Sequence, residues 1–367
     1  MVGRDRWPVP YGSGCGVGHT RAVDRVILVV VHSVAAGWRL SDALPAVEES
    51  PGVQVVFTRP PGPRGDGVSE FLRSTAVLEA PWRQAVRERF DLVVSASPTG
   101  IEVLDAPVLL LPGGTAGGRP VDHHGRSGVV AIHQLLGRGG APLMVGLPHE
   151  DDVEVVREEF PDIGRHVTVV GDPSFDRLLG AVGRREALRT KIGVRPHGRV
   201  GLVLSSRGPE SLFGRSPDLL ARIGRTRRTR ADRLFCQLHP DVWTGHGRRQ
   251  VLAWSAAALR AGVVFVPPWR DWRDPLITSD YVVGDHGIVT SYAAALGKPV
   301  FLAHPAERGP VDPDLRELPV LDPSRDLSAQ LAAGTGTGPQ YRRITSAPRH
   351  SSALLRSAFR RLLRFPV

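Results

Sequence analysis

The segment Tyr281-Val-Val-Gly284-Asp285-His286-Gly287-Ile-Val-Thr290-Ser291-Tyr292-Ala-Ala-Ala-Leu296-Gly297-Lys298-Pro299-Val300-Phe-Leu-Ala303 holds the architecture in miniature. Tyr281–Val283 and Val300–Ala303 are short apolar runs bounded by turn residues, the pattern of buried strands. Between them Ile288–Leu296 runs without a breaker and stops at Gly297-Lys298-Pro299, the pattern of a helix and its end. A strand, a crossover helix and a second strand form a parallel pair, so this is one βαβ unit.

Outward from it the same rhythm recurs. Upstream lie expected strands at Val167–Val170, Val200–Ser205, Leu234–Leu238 and Val263–Val266, with helical stretches at Phe175–Leu188 and Gln250–Arg260. An earlier series begins at Val26–Val31 and continues through a helix at Gly37–Glu49, a strand at Val53–Thr58, a helix near Pro81–Phe90, and strands at Leu92–Ser95 and Val108–Leu111. It runs into the glycine-rich turn Pro112-Gly-Gly-Thr-Ala-Gly-Gly118. Aliphatic runs between helices imply α/β architecture with parallel sheets covered on both faces, and two sheets instead of one. The expected organisation is a flexible leader over 1–24, a first domain over 25–165, a second over 166–335 and a C-terminal amphipathic helix over 346–365. Gly137–Arg165, with an acidic helix at Glu150–Phe160, is expected as the bridge.

The chain has 367 residues, 41% hydrophobic and 23% charged, which suits two α/β domains and excludes collagen, coiled coil and wholesale disorder. Its longest aliphatic run, Val26–Val31, is far below the ~20 residues of a membrane span, and no secretory signal pattern opens the chain, so a cytoplasmic protein is expected. Cys15 and Cys236 cannot form a disulfide framework or a zinc site. The net charge of +10 is concentrated: seven arginines and no acid follow Gln340. Without zinc fingers or aromatics interleaved with the basic runs, that charge does not describe a nucleic-acid binder; it favours an anionic substrate or an acidic surface.

Ligands of open parallel sheets bind beyond the carboxyl ends of the strands. The residues there are His32 and Ser33, Gly113 and Gly114, Asp172, Ser205 with Ser206 and Arg207, His239, and Asp285 with His286 and Gly287. At Asp285–Ser291 a strand ends and a helix begins at once. Backbone N–H groups near Gly287 then face outward, and the helix dipole favours an anion. His286 adds a donor or charge, and Thr290 and Ser291 add hydroxyls. The plainer alternative makes Asp285 the N-cap of the helix and Ser291 a buried hydroxyl. Gly297-Lys298-Pro299 lacks the rest of a Walker loop, so GTPase chemistry is rejected. His246 reads as a surface histidine. No metal site emerges, since Asp312-Pro-Asp314 lies in a proline-rich loop.

Together Val170-Gly-Asp-Pro-Ser-Phe-Asp-Arg-Leu178, Ser205-Ser-Arg-Gly-Pro-Glu-Ser-Leu212, Leu238-His-Pro240 and the Ser279–Pro299 segment resemble, in order and spacing, the nucleotide-binding half of the CDP-glycerol glycerophosphotransferase family. Within that family the likeness is to an actinobacterial group. The resemblance implies two Rossmann-like domains facing a cleft, the GT-B fold. It also implies a transferase moving a sugar or polyol phosphate from a nucleotide-diphosphate donor to an acceptor hydroxyl, with no cofactor or metal. His239, Asp285, Thr290 and Ser291 would hold the donor pyrophosphate, with His286 and Gly287 in the turn and Arg207 beside them. The family's base histidine is replaced here by Gly113, so His124, in His123-His124-Gly125, or His32 would take the acceptor proton.

Two further readings stay open. A UDP-N-acetylglucosamine 2-epimerase-like enzyme would need acid/base carboxylates, for which Glu210 and Asp172 are the strand-end candidates. A catalytically degenerate chain would bind nucleotide as a scaffold without turnover. In the tail Leu354, Leu355, Phe359, Leu362 and Leu363 share one face and Arg356, Arg360 and Arg364 the other. That pattern serves either packing onto the first domain, the reading preferred here, or peripheral contact with an anionic membrane.

Overall fold

The computed structural model describes residues 21–62, 65–112, 129–137, 142–195, 197–305, 313–336 and 344–363. The chain divides into two compact units, Met1–Ser174 with Thr345–Val367, and Phe175–Ile344.

The first unit is built on a seven-stranded sheet. Its strands are β1 (Arg25–Val30), β2 (Val53–Thr58), β3 (Glu79–Ala80), β4 (Leu92–Ser95), β5 (Val108–Leu110), β6 (Leu143–Leu147) and β7 (Val167–Val169). They lie in the order β3-β2-β1-β4-β5-β6-β7, every neighbouring pair parallel. Successive side chains of a strand point to opposite faces. Ile27 and Val29 accordingly enter one apolar cluster and Leu28 and Val30 another, so both faces of the sheet are covered.

Two expectations change here. The run Val167–Val169 is the edge strand of this first sheet, not the start of the second. The region expected as a bridge contains β6, an ordinary buried strand. A glycine inside an apolar run weakens the strand signal. Gly146 is there because side chains close over it: an added Cβ would come within 2.7 Å of Val170 and 2.8 Å of Leu111.

Helices are shorter than the apolar periodicity suggests. The expected helix Gly37–Glu49 is Val34–Ala43, capped by Ser33, followed by Pro45–Glu48. Pro45 has no N–H to continue the ladder, so a new helix starts there. Near Pro81 only the turn Trp82–Ala85 is helical. Phe175–Leu188 resolves into Pro173–Ala181 and Arg185–Lys191, joined by a 3₁₀ turn.

The C-terminal helix Ser351–Leu363 belongs to the first unit. Leu355, Ala358, Phe359, Leu362 and Leu363 join the cluster of Ile27 and Val29, and the helix packs on Pro45–Glu48. Arg356, Arg360 and Arg361 stay exposed. Most of its apolar face is core, while Leu354 is half-buried. No helix among the described residues is long and apolar enough to cross a membrane.

The second unit has five parallel strands, β8 (Val200–Ser205), β9 (Arg233–Leu238), β10 (Val263–Phe265), β11 (Tyr281–Gly284) and β12 (Val300–Leu302), in the order β10-β9-β8-β11-β12. The chain winds outward from β8 through β9 to β10, then returns to place β11 on the other side of β8. Strand order therefore reverses between β8 and β11, and the loops after these strands diverge there.

Candidate functional site

At that reversal β8 ends in Ser205-Ser206-Arg207 and β11 in Gly284-Asp285-His286-Gly287. Asp285 is buried and ties the two ends together. Its carboxylate accepts the Ser206 N–H at 2.9 and 3.1 Å, the Leu212 N–H at 2.9 Å and the Gly287 N–H at 3.2 Å. The Ser205 hydroxyl lies 3.4 Å away and itself accepts the Phe213 N–H at 3.0 Å. Asp285 is therefore not the N-cap; that position belongs to Gly287, with no side-chain cap. Its oxygens face protein donors, so it shapes the site from behind.

The helix Ile288–Ala295 opens directly from this turn. N–H groups in a helix's first turn have no carbonyl within the helix to bond, so those of Ile288 and Val289 are available to an anion. Gly287 has φ −79° and an added Cβ would stand 3.4 Å from Ser206 Cβ, ordinary contact, so the protein itself does not require glycine there. From behind, Tyr292 anchors the helix by stacking on Phe175 at 5.6 Å and on Trp272 at 5.9 Å between ring centroids.

Thr290 and Ser291 are buried, which differs from their expected part as open hydroxyl donors. Thr290 packs over Gly284, where an added Cβ would run into Thr290 Oγ1. The reason is helical direction: side chains lean toward the helix N-terminus, and the third residue of this helix leans back onto the end of β11. His286 is exposed, and its Nε2 lies 2.9 Å from Ser206 Oγ, bridging the two loops.

His239 follows β9 and caps the helix Pro240–His246: its Nδ1 accepts the Asp241 N–H at 3.1 Å. A neutral imidazole with Nδ1 accepting carries its proton on Nε2. The backbone N–H of His239 bonds the Ser205 carbonyl at 2.8 Å, which sets it beside the β8 end. Arg207 donates to Asp241 at 3.0 Å, so the guanidinium is positioned by the same helix that carries His239. One edge of the second sheet thus gathers Ser206, Arg207, His239, Asp285, His286 and Gly287.

Sequence reasoning missed His304, the second residue beyond β12. Its Nε2 is buried without a hydrogen-bond partner. Burial holds the imidazole below the ordinary histidine value; Arg215 pushes the same way, while Asp285 and Glu210 oppose. A polar residue just after an apolar strand is the signal that marked His32 and His239, and it applies equally to His304.

The remaining candidates have other surroundings. His32 sits at the order reversal of the first sheet, between β1 and β4, and its Nε2 contacts the Thr99 carbonyl at 2.7 Å. Asp172 is buried in the first unit, 3.8 Å from Arg39. Glu210 pairs with Arg215 at 3.4 Å. His124, with His123, Gly113, Gly114 and Asp312, lies outside the described residues. His246 is exposed and packs edge-on against Trp254. Lys298 donates to the Ile277 and Ser279 carbonyls at 2.8 and 2.7 Å, a structural role. Cys236 is fully buried, and burial pushes its thiol far up, so it is inert. No cluster of three or more metal-ligating side chains occurs among the described residues.

Two α/β units with parallel sheets, the second with its polar residues gathered at a strand-order reversal, define a protein of the GT-B fold class. Solved structures of that kind match almost the whole chain. UDP-GlcNAc 2-epimerase from Methanocaldococcus jannaschii, in complex with UDP-GlcNAc and UDP, aligns with a TM-score of 0.59 at 14% identity, over 91% of this chain and 99% of that one. A histidine variant of the wall teichoic acid polymerase TagF aligns at 0.58 and 13%, over 93% and 90%. S. aureus MnaA with UDP aligns at 0.54 and 12%, over 93% and 97%. At such identities the likeness establishes the fold. No protein-family model matches the chain, and no curated protein matches it in sequence.

Proposed function

We propose that this chain is a transferase that binds a nucleotide-activated donor through its diphosphate at the β8/β11 edge and moves a sugar or polyol phosphate to an acceptor hydroxyl. The observation that carries the reading is the Asp285–Gly287 turn. One buried carboxylate holds two loops so that the Ile288 and Val289 N–H groups open outward beside His239 and Arg207. Such a cradle offers donors and positive charge without a metal, the requirement for stabilising a leaving phosphate. His239 contributes its Nε2–H, and His286 is held toward the same edge by Ser206. During transfer the acceptor oxygen forms the new bond, the bond to the nucleotide breaks, and its electron pair ends on the leaving phosphate. The acceptor proton goes to a base, to which we assign His32; its Nε2–H donates to the Thr99 carbonyl, which leaves the basic lone pair on Nδ1.

Calorimetry with UDP and CDP tests the binding half. Micromolar-range affinity that weakens at least tenfold in both His239→Ala and Arg207→Ala is expected. Binding of neither nucleotide overturns the proposal.

The likeness to UDP-GlcNAc 2-epimerases keeps a second reading, with Glu210, in the loop after β8, as a candidate carboxylate. Incubation with UDP-GlcNAc followed by NMR separates the two: a new epimeric sugar signal favours epimerisation, and hexose transfer or release of the nucleotide favours transfer.

A further inference from the structure

Among the described residues, His304 carries a buried nitrogen at this edge that the proposed donor site leaves unused. Ala303 N–H bonds the Gly284 carbonyl at 2.9 Å, which fastens the end of β12 to the end of β11, and His304 is the next residue out. Its Nε2 is out of solvent and lacks a partner among the described residues. Buried polar atoms are nearly always paired, and an exception beside a ligand-binding edge points to a partner that arrives with the ligand. The charged groups acting on the ring are Arg215, from the helix Leu212–Arg215, Glu210, from the loop after β8, and Asp285, from the β11 turn. Arg215 is paired with Glu210, and Asp285 accepts backbone donors.

We propose that His304 is a further binding residue for the donor diphosphate, taking up a proton from solvent as the anion binds and donating its Nε2–H to a phosphate oxygen. Burial disfavours the charged form of the ring. An arriving diphosphate supplies the negative charge that reverses this preference, and the uncharged ring becomes an imidazolium hydrogen-bonded to the ligand. Binding is then linked to proton uptake, and affinity rises as pH falls from 8 to 6. This rests on the reading that the edge holds a diphosphate.

The experiment uses UDP-glucose and CDP-glycerol, whose diphosphate diesters have no group titrating between pH 6 and 8, so any pH dependence belongs to the protein. Histidine ring NMR on the full chain follows each imidazole with and without saturating ligand, assigned by His304→Gln. The expected result is a His304 titration midpoint raised by about one pH unit on saturation. His304→Gln, which keeps a donor near the Nε2 position but cannot be protonated, binds within about twofold of wild type at pH 8 and loses several-fold of the strengthening at pH 6. The inference is overturned if the ligand saturates the protein without moving the His304 midpoint, or if H304Q keeps the full pH dependence. If the wild-type chain binds neither probe, the donor-site reading falls along with it.

Discussion

Replacing Asp285 by asparagine tests whether this residue holds the site together or touches the ligand. The carboxylate accepts three backbone N–H groups from separate segments, and charge-assisted bonds of this kind contribute about 1.5–3 kcal/mol each. The single carbonyl of asparagine can keep the Ser206 and Leu212 N–H groups, which share Oδ2. Its NH₂ then faces the Gly287 N–H, donor against donor. Loss of that bond, with weakening of the other two as the charge disappears, amounts to about 3 kcal/mol. For a unit of about 170 residues this lowers the melting temperature by roughly 6–12 °C. Differential scanning calorimetry reads the shift, and titration of the same variant with UDP reads the consequence, an affinity at least tenfold weaker because the two loops are no longer held in register. If Asp285 instead lay against the phosphates, removing its charge would strengthen UDP binding and leave stability within ~0.5 kcal/mol of wild type. That pair of results would refute the clasp.

Gly287→Ala should leave the melting temperature within a few degrees, since its Cβ meets Ser206 Cβ and Asp285 Oδ1 at ordinary distances, yet weaken UDP binding at least tenfold by standing where the ligand approaches the turn; unchanged affinity would show that the diphosphate does not meet this backbone. Lys298 titrates at about 8 in the folded chain against 10.5 unperturbed, because burial and then Arg185 disfavour its charge. At Lys298 the unfolded chain therefore binds more protons between these values, so this group's contribution to stability rises from pH 8 to 10.5, by at most about 3 kcal/mol, against an opposing loss from Cys236 and Tyr281, which burial keeps protonated in the folded chain. Urea titrations should show wild type gaining stability relative to Lys298→Met as pH rises from 8 to 10.5, and an unchanged difference would refute the shift. Phe359→Ala should cost the first unit about 3–5 kcal/mol, seen as an earlier melting transition; an unchanged transition would mean the C-terminal helix does not contribute to the core.

The sequence by itself determined the α/β alternation, the parallel pairing and most strands of both sheets. Buried parallel strands are continuous aliphatic runs, and runs such as Val53–Thr58 and Leu92–Ser95 coincide with the strands residue for residue. It also brought out the residues after β8, β9 and β11, because any polar residue that follows an apolar strand in such a sheet stands at the ligand edge. Strand partners were not legible. Val167–Val169 follows an acidic helix and precedes the second series, and only hydrogen bonding to β6 assigns it to the first sheet. Nor could spacing tell a ligand from a brace. Asp285, Thr290 and Ser291 are all within one turn of the helix start. The direction of each side chain turns Asp285 onto backbone donors and Thr290 onto Gly284, while His304, distant in sequence, is brought to the same edge by the pairing of β12 with β11. Local pattern depends on residues a few positions apart and survives in the sequence. Orientation and long-range pairing depend on which surfaces meet when the sheet closes, and only the folded chain decides them.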